Sequence, residues 1–62
     1  MIKQLRERKG WSQSELARRA GISQGVLSDI ESGRTKNPRS DTLAAIARAL
    51  KVPIEKLLRK AA

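Results

Sequence analysis

Apolar residues recur at three- and four-residue spacing from one end of this chain to the other, and no segment alternates with the period of two that a strand requires. Helices bury such a pattern on one face. Ile2 and Leu5 begin an amphipathic turn that runs to Lys9 and stops at Gly10. Ser12 opens a second helix, with Glu15 three residues later completing a capping-box pattern. Leu16, Ala17 and Ala20 line its inner face, and Gly21 ends it. Ser23 suits the N-cap of a third helix, with Leu27 and Ile30 inward and Gly33 closing it. From Arg34 to Arg39 the chain reads as a polar loop in which Pro38 blocks helical continuation. Ser40 or Asp41 then caps a fourth helix, striped by Leu43, Ile46, Ala47 and Leu50. Pro53 fits the first turn of a fifth, whose apolar face is Ile54, Leu57 and Leu58. The expected architecture is all-α, five short helices around one core, with residues 1–62 as a single domain.

A chain of 62 residues buries a small core and depends on efficient packing or an external staple. It has no Cys and no His, which removes disulfides, thiolate metal sites and ordinary zinc sites. Close helix packing remains, helped by dimerisation, and neither a metal nor a cofactor is expected. Fourteen Lys and Arg against six Asp and Glu give a formal charge of +8. That excess points to a polyanionic partner, either nucleic acid or an anionic membrane surface. No apolar run approaches the roughly 18 residues of a membrane span, and five interlocking apolar faces differ from the single face of a membrane-active peptide. The expectation is a soluble, intracellular protein without a membrane partner. Enzymatic activity is not expected: the six carboxylates are scattered, and no glycine-rich phosphate loop occurs. No small-molecule ligand is expected either.

The most specific pattern runs from Gln13 to Ser32. Leu16, Ala17 and Ala20 come first, Gly21 turns the chain, and Ile22, Leu27 and Ile30 follow. In this combination the chain resembles the Cro/repressor (XRE) family of lambda-repressor-like helix-turn-helix domains, and the resemblance extends from about Ile2 to Leu58. It gives each position a physical reason. Ala17 is small where two helices cross closely, and Gly21 supplies the positive φ that lets the next helix leave at a steep angle. Ile22, Leu27 and Ile30 anchor that helix so that its opposite face projects.

The resemblance implies a double-stranded DNA operator, pseudo-palindromic and bound by a homodimer, and a cytoplasmic transcriptional regulator of the repressor kind, bacterial and nucleoid-associated or phage-encoded. It places Gln24, Gly25, Ser28 and Asp29 at base edges. Gln13 would contact phosphate and brace Gln24, whose carboxamide offers the donor and acceptor that adenine N7 and N6 require; solvated first-turn residues are the plainer reading of both. Gly25 either permits close backbone approach or leaves a base unread. Asp29 could accept from cytosine N4 or pair with a neighbouring Arg. Val26 could touch a thymine methyl or pack on the rim of the core.

Ser32, Arg34, Thr35, Lys36 and Arg39 would follow the phosphate backbone, against the plainer reading of a solvated basic loop. Arg6 and Glu31 match a charged pair tying the first helix to the third, and Trp11 a core position. Pro53, Ile54, Leu57 and Leu58 would form the dimer interface, or be wholly intramolecular. An antitoxin-type or other protein-interaction helix-turn-helix module is the alternative function.

Overall fold

The structure, a computed structural model, describes the backbone of residues 2–61 and the side chains of residues 2–57. Five helices follow one another: α1 (Ile2–Arg8), α2 (Gln13–Ala20), α3 (Gln24–Ser32), α4 (Ser40–Leu50) and α5 (Ile54–Ala61). There is no strand among the described residues, as the spacing predicts. α4 is the hub, with α2 and α5 both packed on it and α3 packed on α2. Ile2, Leu16, Ala17, Leu27, Leu43, Ile46, Ala47, Leu50 and Leu57 form the buried core, and Leu5, Trp11, Ile22, Ile30 and Ile54 close around it. Leu16, Leu27, Ile46 and Leu50 are fully enclosed, so truncating any of them to Ala costs about 2–5 kcal/mol.

The helix ends follow from short-range chemistry. Ser12 Oγ accepts from the Glu15 N–H and Ser23 Oγ from the Val26 N–H, each at 3.1 Å, caps worth about 1 kcal/mol apiece. The return half of the capping box is not made, because the Glu15 carboxylate is occupied by Arg18 and Arg19. Gly21 closes α2 at φ 72°, and the N–H groups of Gly21 and Ile22 bond the carbonyls of Arg18 and Ala17 at 3.2 and 3.0 Å. That six-to-one closure satisfies the terminal carbonyls and starts α3 after only Ile22 and Ser23.

α1 stops at Arg8, one residue before the expected end. The start of α4 differs more. The backbone is already helical at Ser40, so Arg39 is the N-cap, with no side-chain cap hydrogen bond. Asp41 Oδ1 instead accepts from the Thr42 N–H at 2.8 Å. At its other end Lys51 takes the left-handed conformation, φ 58°, and closes α4 as Gly21 closes α2. Pro53 immediately precedes α5, and its carbonyl accepts from the Lys56 N–H at 3.1 Å. Trp11 is half-buried against the core; the Arg19 guanidinium lies over its ring at 4.4 Å and the Lys9 ammonium at 5.4 Å.

Candidate nucleic-acid interface

The tight turn after α2 sets the N-terminal ends of α2 and α3 side by side. With about 100° between successive residues of a helix, Leu27, Ile30 and Glu31 point inward from α3, while Gly25, Ser28, Asp29 and Ser32 share the opposite face. Gln24 and Val26 flank that face and are exposed. Of the four residues expected at base edges, Gly25, Ser28 and Asp29 share this face and Gln24 borders it. Val26 is 45 % exposed and is the exposed large hydrophobic residue of the described chain. Of its two sequence readings, packing on the core rim is the one this exposure does not favour. Gly25 sits in ordinary helical backbone, and a Cβ there would meet nothing within 4 Å. The fold itself has no need of a glycine at that position.

The basic loop is anchored to the end of α3. The Asp29 carbonyl receives the N–H groups of Arg34 and Thr35 at 2.9 and 3.2 Å and the Ser32 hydroxyl at 3.2 Å. From this anchor Arg34, Lys36 and Arg39 project into solvent, while Thr35 is half-buried. Arg34 Nη1 lies 3.6 Å from Asp29 Oδ1 and Arg39 Nε 3.5 Å from Asp41 Oδ1, both pairs in open water. Such pairs are worth little and release their cations readily.

Beneath the exposed face lies a polar network. Arg6 donates from Nε to Glu31 Oε2 at 2.9 Å and from Nη2 to Oε1 at 3.1 Å, and its Nη1 reaches the Trp11 carbonyl at 2.8 Å. The two side chains are only 11 % and 5 % exposed. Burial pushes the Glu31 carboxyl up, but hydrogen bonds from Arg6 and Gln13 and the charges of Arg6 and Lys3 outweigh it and hold the group below its ordinary value. The same hydrogen bond, opposed by desolvation, raises Arg6. Among the described residues no buried side-chain polar atom lacks a partner.

Two sequence expectations need correction here. Gln13 does not brace Gln24. Its Nε2 donates to Glu31 Oε1 at 3.1 Å, because the buried carboxylate is a stronger acceptor than a neighbouring amide. Ser14 takes the brace, its hydroxyl donating to Gln24 Oε1 at 3.1 Å; no periodicity marks such a pair, ten residues apart across a turn. At the other end of the chain, Leu57 is 3 % exposed and belongs to the intramolecular core. It has no free surface to offer a second copy. Pro53 is exposed and Ile54 half-buried, whereas the Leu58 side chain lies outside the described residues.

Comparison with known proteins agrees with this geometry. Residues 2–57 match the helix-turn-helix family. The chain belongs to that family. The SinR transcriptional regulator of Bacillus subtilis is 42 % identical over 57 residues, covering 92 % of this chain and 51 % of SinR. The transcriptional repressor RghR of the same organism is 37 % identical over 60 residues (97 % and 44 %), and the antitoxin HipB of Escherichia coli 39 % over 49 (79 % and 51 %). SinR solved in complex with DNA superimposes with a TM-score of 0.88 at 42 % identity, covering 92 % of this chain and 90 % of that one. This helix-turn-helix chain spans about half the length of the curated relatives it matches.

Proposed function

We propose that this chain is a sequence-specific double-stranded DNA-binding domain of a cytoplasmic transcriptional regulator, acting as a repressor and as a binding module rather than an enzyme. The observation that carries the reading is the outward face of α3, where Gln24, Gly25, Ser28 and Asp29 stand together on a helix locked from behind. α3 enters the major groove. Gln24 pairs with adenine, Val26 meets a thymine methyl, and Asp29, released from Arg34, accepts from a cytosine amine. Gly25 lets the backbone come close. Ser32, Arg34, Thr35, Lys36 and Arg39 follow the phosphates beside the groove, and Gln13 keeps a second amide N–H for another. Two copies place their α3 helices about 34 Å apart on a pseudo-palindromic site, through the surface formed by exposed Pro53 and the uncovered part of half-buried Ile54.

The test is selection of binding sites from a random duplex library at near-physiological salt, with wild type and Gln24→Ala in parallel. A two-fold-symmetric motif that loses an adenine preference in the mutant is the expected result. Failure of a cooperatively folded wild type to enrich any site would sink the reading. The likeness to an antitoxin makes a protein-interaction module the second reading in that event.

A further inference from the structure

We propose that Ser14 is a positioning residue for base recognition, fixing the plane of the Gln24 carboxamide before DNA arrives. The proposal rests on the DNA-binding reading above and deepens it. Ser14 occupies the second position of α2, beside the first residue of α3, and its hydroxyl donates to Gln24 Oε1 at 3.1 Å. Gln13, the residue before it, is turned toward Glu31 and makes no hydrogen bond to Gln24. A glutamine at an exposed helix start samples many rotamers, and ordering it on binding is entropically unfavourable.

The Ser14 bond removes part of that freedom in advance. It uses one lone pair of Oε1, leaving the second lone pair and both Nε2 hydrogens. Those are the acceptor and donors that adenine N6 and N7 require. In the free protein water competes for the bond. Against base edges water is excluded, and the same bond strengthens as the local dielectric falls. Ser14 thus acts on specificity through Gln24 without touching a base.

The experiment is the same site selection, followed by competition between the selected duplex and its single-base variants, with Ser14→Ala, Ser14→Thr, Gln24→Ala and the Ser14→Ala/Gln24→Ala double variant. Alanine is a good helix former, so thermal melting of Ser14→Ala should match wild type. Its preference at the base pair sensitive to Gln24→Ala should fall about fivefold, the scale of one modest hydrogen bond, with other positions unchanged. Ser14→Thr, which keeps the hydroxyl, should retain the preference. In the Gln24→Ala background the Ser14 change should have no further effect. An unchanged preference in Ser14→Ala, an equal loss at every base pair, or the same loss without Gln24 would each overturn the proposal. A wild type that selects no site fails earlier, on the DNA reading itself.

Discussion

Glu31 accepts three hydrogen bonds, two from Arg6 and one from Gln13, while almost wholly enclosed. Replacing such a pair by well-packed apolar residues is often neutral, but removing one partner strands the other charge. Glu31→Ala should lower unfolding free energy by about 3–5 kcal/mol, read from urea melts, and Arg6→Met/Glu31→Leu should recover most of it. The sign with pH follows from the depressed carboxyl. Its contribution is full above the ordinary value of 4.5 and is lost as pH falls through the lowered one. Glu15 moves in the same direction, desolvation there being outweighed by Arg19 and Arg18. The informative curve is therefore wild type against Glu31→Gln, whose melting temperatures should converge on acidification. Gly25 supplies a second test at this scale. Gly25→Ala should stabilise the fold by about 0.5–1 kcal/mol, because the added methyl meets no protein atom, yet weaken DNA binding by crowding the groove. Thermal melts and binding titrations on the same samples check both halves.

Helix ends separate what the sequence made legible from what it did not. The ends of α2 and α3 were readable because Ser12, Ser23, Gly21 and Gly33 each have one dominant use at a helix boundary. α4 was misread at its start because Ser40 and Asp41 are good caps that this chain places one and two positions too late. Its close at Lys51 carried no signal, since a left-handed lysine looks like any other lysine in sequence. The face of α3 was legible for the same reason as its core side: Leu27 and Ile30 fix which way the helix turns. The Ser14–Gln24 and Gln13–Glu31 pairs were not, because they depend on side-chain choices among several acceptors within reach. α4 is consequently the element with room for improvement. Lys51→Gly should add about 0.5–1 kcal/mol by relieving the left-handed strain. Arg39→Asn should add about 1 kcal/mol as a proper cap while removing one of the cations proposed to follow the phosphates. A higher melting temperature with weaker DNA binding is the expected pair of readings.

The described chain spans 26 × 22 × 18 Å, shorter in every direction than the roughly 34 Å between successive major grooves on one side of the duplex. One copy therefore cannot span two successive major grooves. α3 has nine residues and is about 14 Å long at about 1.5 Å per residue, enough to lie along about four base pairs at 3.4 Å each. Four base pairs specify little, and the proposed pairing of two copies would double that number. If a dimer neutralises about six phosphates, log K should fall with log salt at a slope near −5. An affinity indifferent to salt would contradict that picture. Arg39→Asn should flatten the slope by about one per copy that contacts DNA.

Gln24, Gly25, Ser28, Asp29 and Ser32 contribute no side chain to the core, and the Arg6–Glu31 pair grips α3 from the other side. The letters that would spell an operator are thereby written on a surface that the scaffold does not consult. Side chains at those five positions can therefore change without opening a cavity in the core.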